Sequence, residues 1–253
     1  MEISAGRRSA MSMPGVSIVT CTNRPEFLTN LVRNFNSQRY PRKELILIVN
    51  NDSANLQAIR QQTAHNPRIR VYRVPERVSL GQCLNCGAAV ARYPLIAKFD
   101  DDDYYAPAYL REQVRALIRT GSTVVGKHAC LVYLAASGRL VIRSPQERNK
   151  LLTFVQGGTI LFRRSVLKQV RFADISLGED VRFLRACRRK GHTVYATSPF
   201  HYVYMRRKNK SSHTWKAADR FYLQNSVPLA VTRDYRIVAS RQARIRHSRP
   251  SFF

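Results

Sequence analysis

Four consecutive aspartates are the side chains of this sequence whose type and spacing point most directly to chemistry. They follow the apolar residues 95–99, which have the length and composition of a buried strand. Carboxylates this close repel one another, and their pKa values rise unless a cation lies among them. A divalent ion with hard oxygen ligands would balance that charge, whereas a helix cap or a solvated turn is the alternative. The four residues are Asp100, Asp101, Asp102 and Asp103.

A second acidic pair, Glu179 and Asp180, follows Gly178 at the start of a predicted helix. A carboxylate in this position could act as a general base and take a proton from an acceptor hydroxyl. Acids in the first turn of a helix also complement the helix dipole. The residue types alone do not decide between these two roles.

The basic stretch 206–216 contains His213 close to Trp215, the only tryptophan of the chain. Cations in such a stretch are ordinarily those of a basic loop. A neutral imidazole, however, can ligate a metal or contact a phosphate. His213 is therefore a candidate site residue.

The five cysteines predict neither a disulfide framework nor a zinc site. Their number is odd in a long chain, which argues against a disulfide-rich fold. Cys83 and Cys86 have CxxC spacing, but zinc needs two further ligands and no second such pair exists. We therefore predict that both are small buried helix residues.

The charge of the chain predicts anionic partners. Its 253 residues include 43 Lys and Arg against 16 Asp and Glu, a net charge of +27. Nucleic acid, phosphorylated substrates, acidic polymers and anionic membranes are all compatible with that field. A hydrophobic content of 44% excludes a disordered basic tail. No apolar run approaches the ~20 residues of a membrane helix, and no secretory signal is evident, which predicts a cytoplasmic globular protein.

Strands and helices alternate through the first half of the chain, which predicts a parallel sheet flanked by helices. The predicted strands lie at 16–20, 44–50, 69–74 and 95–99, with helices between them. Ligands of such sheets bind beyond the carboxyl ends of the strands. The polar clusters at 50–53 and 100–103 both fall there.

The second half predicts a smaller antiparallel sheet, with strands at 123–127, 129–135 and 139–143. The predicted organisation is one compact domain over 16–216 with two halves. Its parts are a flexible leader at 1–15, a first half at 16–120, a second half at 121–216 and a basic extension at 217–253.

Six segments, taken in order, carry a family resemblance that covers about residues 16–216. They read VSIVTCTNRP at 16–25, LIVNNDS at 47–53, LGQCLN at 80–85, AKFDDDDYY at 97–105, GTILFRR at 158–164 and GED at 178–180. The ordered set resembles family 2 glycosyltransferases. The resemblance implies a GT-A fold, a Rossmann-like mixed sheet with a smaller acceptor-side sheet. It makes residues 16–120 the nucleotide-sugar-binding half and residues 121–216 the acceptor-binding and catalytic half. It also implies inverting transfer of one sugar from a nucleotide diphosphate donor to an acceptor hydroxyl, in cell-envelope or surface glycan biosynthesis.

The resemblance also implies roles for individual residues. Asp180 matches the family's general base. Asp102 matches a ligand of Mn²⁺ or Mg²⁺, with Asp100 and Asp101 near the ribose or the ion, and His213 completes the metal–diphosphate site. The remaining implied donor-binding residues are Thr20, Thr22, Asn51, Asp52 and Asn85.

Two departures from the family pattern limit what it implies. Asn51 stands where the family often has an aspartate that accepts from the uracil N3–H, so UDP is favoured without being secured. The Gln-x-x-Arg-Trp motif of processive synthases is absent, which favours single addition.

Two other classes remain open from the sequence. A nucleotidyltransferase uses a related sheet, but residues 21–25 are not its glycine-rich loop. An RNA- or anionic-polymer-binding domain rests on charge alone, and the aspartates would repel phosphate. Nucleic acid is therefore an unfavoured partner. The arginines of the C-terminal extension instead predict peripheral docking to an anionic membrane or polymer.

Overall fold

The structure is a computed structural model that describes residues 13–209 and 217–240. These residues form two sheets flanked by helices. The strands are β1 (Val16–Thr22), β2 (Lys43–Val49), β3 (Ile69–Arg73), β4 (Leu95–Lys98), β5 (Tyr104–Tyr105), β6 (Val124–Gly126), β7 (Cys130–Leu134), β8 (Arg139–Arg143), β9 (Lys150–Leu151), β10 (Leu161–Arg163), β11 (Val194–Ala196), β12 (Tyr202–Arg206) and β13 (Ser226–Val231). The helices are α1 (Leu28–Ser37), α2 (Leu56–Thr63), α3 (Leu80–Ala89), α4 (Tyr109–Thr120), α5 (Glu179–Arg189), α6 (Asp219–Leu223) and α7 (Tyr235–Ser240).

The first sheet has eight strands in the order β3-β2-β1-β4-β10-β6-β11-β9. Strand β1 runs parallel to β2 and β4, and β2 runs parallel to β3. Strand β10 is antiparallel to both β4 and β6, and β11 is parallel to β6. Six strands therefore share one direction and end at one edge of the sheet, here named the carboxyl edge. The opposite edge is named the amino edge.

Local sequence signals set the helices that cross between these strands. Asn55 caps α2 by accepting from the Ala58 N–H, and Ser79 caps α3 by accepting from the Gln82 N–H. Helix α4 ends at Gly121, whose φ of +68° is a conformation that glycine adopts without strain. All seven residues of β2 are buried, as expected for a strand with helices on both faces.

The second sheet has five strands in the order β13-β8-β7-β12-β5. The hairpin of β7 and β8 is antiparallel as predicted, but β12 runs parallel to β7, so this sheet is mixed. The strand predicted at 123–127 is present as β6, but it belongs to the first sheet, between the antiparallel β10 and the parallel β11. Each of these strands has only three to five residues, too few for sequence to specify its partner.

Residues 217–240, within the predicted basic extension, pack on the second sheet. Strand β13 pairs with β8 along its length, with a register shift between Pro228 and Ala230. The mixed α/β class, with a large mostly parallel sheet and a smaller second sheet, is confirmed. Among the described residues, none of the helices combines the length and apolarity that crossing a bilayer would require.

Candidate active site

The four aspartates leave β4 at the carboxyl edge and alternate between two environments. Asp101 and Asp103 are buried, with 3% and 1% of their surface exposed. The side chains of Asp100 and Asp102 keep 36% and 14% of their surface exposed. Only the alternate pair, Asp100 and Asp102, is therefore open to a ligand.

The two buried aspartates anchor the loop. Thr22 Oγ1 donates to Asp101 Oδ2 at 2.5 Å, and Arg24 also donates to this carboxylate. Tyr202 Oη donates to Asp103 Oδ2 at 2.5 Å, and the Met205 N–H donates to Oδ1 at 2.9 Å. These contacts tie the loop to β1 and β12.

Burial raises the pKa of both buried carboxyls, and the charge of Asp102 adds to the shift. For Asp101 the pKa is about 6, because Arg24 and Thr22 oppose the rise. The sequence therefore predicted the repulsion correctly. At two of the four positions, Asp101 and Asp103, hydrogen-bond donors from other parts of the fold offset this repulsion.

Asp102 faces two arginines. Arg24 Nη1 lies 3.2 Å from Asp102 Oδ2, and Arg207 donates to the same oxygen. Both guanidinium groups also lie over the ring of Phe27, at 4.8 Å and 4.9 Å from its centroid. The side chains bring two cations to the exposed part of the aspartate loop.

Lys98 links the aspartate loop to the start of α5. Its Nζ lies 2.5 Å from Asp100 Oδ1 and 3.8 Å from Glu179 Oε1, and its side chain is 6% exposed. Burial lowers the pKa of Lys98, but the carboxylates of Asp100 and Glu179 outweigh it and raise that pKa. Burial raises the pKa of Glu179 to about 7, although Lys98 opposes the rise.

Asp180, the candidate base, approaches Asp100 across a turn of two glycines. A Cβ on Gly157 would lie 2.4 Å from Asp180 Oδ2, and a Cβ on Gly158 would lie 2.6 Å from Asp100 Oδ2. The Tyr105 hydroxyl fixes this turn by donating to Gly158 O at 2.6 Å and accepting from the Asp100 N–H at 2.8 Å. The two glycines therefore lie against these two carboxylates, at a place where a side chain would displace them.

Thr20 and Asn85, both predicted to bind the donor, have internal positions. Thr20 is fully buried, and its Oγ1 has no hydrogen-bond partner. Asn85 is 9% exposed, and its amide both donates to Phe172 O and accepts from the Phe172 N–H. Both side chains are therefore largely enclosed by the fold.

Asn51 and Asp52 lie at the carboxyl edge beyond β2, as predicted. Asn51 donates to Asn23 O at 2.9 Å and accepts from the Ser53 N–H at 2.8 Å. Asp52 is exposed and accepts from the Glu76 N–H at 3.3 Å. Both side chains therefore order the loops around the first sheet's carboxyl edge while remaining accessible.

Some candidates fall elsewhere. His213 lies outside the described residues. Cys83 is buried, but Cys86 is exposed, so the prediction of two buried cysteines is wrong for Cys86. Arg206, the first cation of the basic stretch 206–216, is not in an open loop: it is 1% exposed and pairs with Asp219 at 3.1 Å.

Sequence reasoning assigned no individual role to four residues of the site: Arg24, Lys98, Arg207 and Gly157. A charged residue in the middle of an apolar strand was the available signal for Lys98, since it must find a partner when buried. The arginines and the glycine have no local signal, because tertiary packing alone places them at the aspartates.

A divalent metal fits the exposed aspartate pair by its donor chemistry. Asp100 and Asp102 offer hard carboxylate oxygens at alternate positions of one loop, the ligand type that Mg²⁺ and Mn²⁺ prefer. Within residues 13–209 and 217–240, no group of three His, Cys, Asp or Glu side chains is arranged to hold a metal ion. The remaining ligands would have to come from the substrate, from water or from a residue outside the described ones, such as His213.

Comparison with protein families identifies the chain. The model of the family described as "Glycosyl transferase family 2" matches residues 17–171, more than half of the sequence. This chain belongs to glycosyl transferase family 2. The match includes the aspartate loop and the glycine turn, and the chain therefore contains a glycosyltransferase domain.

Two curated relatives agree with this family. An uncharacterized glycosyltransferase of Haemophilus influenzae is 24% identical over 218 residues, 82% of this chain and 86% of the relative. A poly-beta-1,6-N-acetyl-D-glucosamine synthase of Staphylococcus epidermidis is 26% identical over 183 residues, 66% of this chain. The aligned part is 44% of that synthase.

Solved structures share the fold. TarS 1–349 of S. aureus in complex with UDP-GlcNAc matches with a TM-score of 0.63 at 17% identity, over 79% of this chain and 62% of that one. The mannosyltransferase PcManGT of Pyrobaculum calidifontis, in complex with GDP-Man and Mn²⁺, matches with a TM-score of 0.62 at 16% identity. That match covers 79% of this chain and 59% of PcManGT. The GT-A fold is therefore confirmed, and this chain spans about 60% of the length of these two structures.

Proposed function

We propose that this family 2 domain is a metal-dependent inverting glycosyltransferase that moves one sugar from a nucleotide diphosphate sugar to an acceptor hydroxyl. The single observation that carries the proposal is the glycine turn between Asp100 and Asp180. The turn lies against both side chains: the Asp100 carboxylate is suited to the donor's metal, and the Asp180 carboxylate is suited to the acceptor's proton. Both reacting partners could then meet at the carboxyl edge.

Asp180 is the proposed base, in preference to its neighbour. Glu179 is 5% exposed and faces Lys98, so its carboxylate is not accessible to an acceptor. Asp180 is half-buried, and its Oδ1 accepts from the Val181 N–H at 2.8 Å. This contact orients the carboxylate and leaves Oδ2 toward Gly157. In that orientation Asp180 would take the proton of the attacking hydroxyl, and attack opposite the nucleotide inverts the anomeric carbon.

Asp100 and Asp102 are the proposed metal ligands, with His213 as a further candidate. When bound, Mn²⁺ or Mg²⁺ would act as a Lewis acid that neutralises the leaving diphosphate. Arg24 and Arg207 lie at Asp102 and are the protein cations available for the same negative charge. Lys98 holds Asp100 in place. Neighbours in complex with UDP-GlcNAc and with GDP-Man and Mn²⁺ support a nucleotide-sugar donor and a divalent ion.

A UDP-sugar is the proposed donor, with Asn51, Asp52 and Thr22 at the carboxyl edge where a nucleotide binds in open parallel sheets. In this proposal Thr20 and Asn85, which are buried, support the donor-binding loops from inside the fold. A thermal-shift screen of nucleotide diphosphates with and without Mn²⁺ would test the donor. A shift with UDP that chelation removes supports the proposal, and a shift with GDP alone contradicts the choice of base.

Asp180→Asn tests the base. We expect unchanged donor affinity by calorimetry and a loss of transfer of about 10²- to 10⁴-fold, because only proton removal is affected. Glu147→Gln is a matched control, since Glu147 is an acid paired with Lys150 away from the aspartates and should retain full transfer. Full activity of Asp180→Asn would refute the assignment. NMR of the product's anomeric configuration separately tests inversion.

A further inference from the structure

A large open cleft lies at the amino edge, on the other side of the molecule from the aspartate loop. It has a volume of about 810 Å³. Pro14 precedes β1, Leu95 begins β4, and Arg163 ends the antiparallel strand β10, so all three lie at that edge. The end of α3, at Ala88 and Ala89, closes one side of the cleft.

The cleft combines an aliphatic lining with a cationic rim. The rim has four cationic side chains, and the lining has six apolar residues and the hydroxyl of one serine. The cations are Arg163, Arg164, Lys168 and Arg171; the other residues are Pro14, Ala88, Ala89, Pro94, Leu95, Ser165 and Leu167.

None of the four cations has an acidic partner among the described residues. Among the described residues, no carboxylate lies within the 4.0 Å ion-pair distance of Arg163, Lys168 or Arg171. Arg164 donates to Ala91 O, which satisfies a carbonyl beyond the end of α3. Glu44, an acid at this edge, is 3% exposed and already binds Ser17 and Arg70. The described part of the fold therefore leaves the cationic rim uncompensated.

We propose that this cleft binds the phosphate headgroup of an anionic membrane phospholipid. The cations of the rim complement the phosphate, and the aliphatic lining suits the glycerol and the first methylenes of the acyl chains. Among the described residues that line the cleft, none is aromatic, so a nucleic-acid base has no ring on which to stack. A lipid therefore matches both parts of the lining, whereas nucleic acid matches only the charge.

This site goes beyond the proposed transfer reaction and has a geometric consequence for it. The amino and carboxyl edges are opposite ends of the same parallel strands. A domain that docks through the cleft therefore turns its aspartate loop away from the lipid surface, toward acceptors that extend into water.

Vesicle co-sedimentation of the full chain tests the proposal. The vesicles are phosphatidylcholine alone, or phosphatidylcholine with about one third phosphatidylglycerol, at ~0.1 M salt. Arg163→Gln, Lys168→Gln and Arg171→Gln are combined in one variant. We expect about 100-fold weaker binding to the anionic vesicles, because three rim cations are lost.

A matched variant controls for total charge. Arg60, Arg111 and Arg115 are exposed on α2 and α4, helices that pack on the opposite face of the first sheet. Their combined change to Gln removes the same charge and should weaken binding by no more than about threefold. Equal losses in the two triple variants would overturn the proposal in favour of diffuse attraction by the net charge.

A charge-neutral variant tests the cleft itself. Ala89 is exposed, so Ala89→Trp fills the cleft without disturbing the core or the rim charges. We expect at least tenfold weaker binding to anionic vesicles and unchanged sugar transfer in solution. Wild-type vesicle binding by Ala89→Trp would overturn the proposal. A second result would also overturn it. If the combined variant of Arg163, Lys168 and Arg171 lost binding to duplex DNA but kept its binding to anionic vesicles, the cleft would bind nucleic acid and not lipid. Transfer measured in parallel reports separately on the proposed catalytic function.

Discussion

At the scale of single residues, the site depends on the absence of side chains at the glycine turn. Gly157→Ala would place a Cβ 2.4 Å from Asp180 Oδ2. The carboxylate end of a side chain can move away, so the fold should survive while the base is displaced. We expect a loss of transfer of about 100-fold with a small change in melting temperature, because a misplacement of ~1 Å costs that much.

Gly121→Ala is the complementary control. Gly121 has a φ of +68° and lies at the end of α4, away from the aspartates, and a Cβ added there would have no atom within 4 Å. Its substitution strains the backbone and should lower stability by about 1 kcal/mol while leaving transfer unchanged. If Gly157→Ala instead loses stability and retains activity, the turn has only a structural role.

Glu179 makes the free energy of unfolding depend on pH. Burial raises its pKa from 4.5 to about 7, so the folded state holds this proton more tightly than the unfolded state. The stabilisation from that proton is fully present below about pH 4.5 and is lost as the pH rises through 7. Glu179→Gln, which cannot ionise, should therefore add up to about 3 kcal/mol above pH 7 and little at pH 4.

Denaturant unfolding of wild type and Glu179→Gln at several pH values measures this effect. The free energy of unfolding is measured without a sugar donor, so the result does not depend on catalysis. A constant difference between the two proteins from pH 4 to pH 8 would show that Lys98 cancels the burial effect. The approach of Lys98 Nζ to 3.8 Å from Glu179 is the contact that could do so.

At the scale of elements, the sequence predicts the parallel half of the first sheet because its strands are long and its helices have caps. Apolar runs identify the strands at 44–50 and 95–99, and Ser79 followed by Gln82 three residues later is typical of the start of a helix. The placement of β6 in the first sheet is not predictable, since its three residues carry no periodicity. Similarly, the aspartate run is visible in the sequence, but its division into an exposed and a buried pair depends on donors distant along the chain.

Strand β13 and helix α6 stabilise the folded domain, although the basic composition of residues 217–253 does not indicate such a role. Arg206 on β12 is 1% exposed and depends on Asp219 of α6, with Nε 3.1 Å from Oδ1. Arg143 of β8 also lies over the ring of Phe221, at 4.2 Å from its centroid. Removal of these elements would leave a buried guanidinium without its carboxylate and uncover an edge of the second sheet.

Two truncations test this contribution. Removal of residues 217–253 should lower the free energy of unfolding by at least about 3 kcal/mol, because the Arg206 pair and the β8–β13 ladder are both lost. Removal of 241–253 alone keeps them and should leave it nearly unchanged. Urea unfolding compares the two with the full chain. Equal stability of both truncations would mean that β13 and α6 contribute nothing to the folded domain.

At the scale of the whole molecule, the charge of +27 acts in two separate ways. At the carboxyl edge, Arg24, Lys98 and Arg207 are matched by carboxylates and serve the proposed chemistry. At the amino edge, the cleft's cations have no carboxylate partner in the described part of the chain, and they provide the proposed lipid site. The net charge therefore does not describe the active site, which is a mixed cluster of acids and bases within a positive body.

The unmatched charge should make the stability of the domain depend on salt. Cations in excess repel one another across the surface, which disfavours the compact state, and salt screens that repulsion beyond about 10 Å at 0.1 M. We expect the melting temperature to rise by several degrees between low salt and ~0.3 M NaCl. The variant with Arg60, Arg111 and Arg115 changed to Gln should show a smaller rise, because less repulsion remains to be screened. A melting temperature that falls with salt would mean that attractive pairs, such as Lys127 with Glu112 at 2.7 Å, outweigh the repulsion.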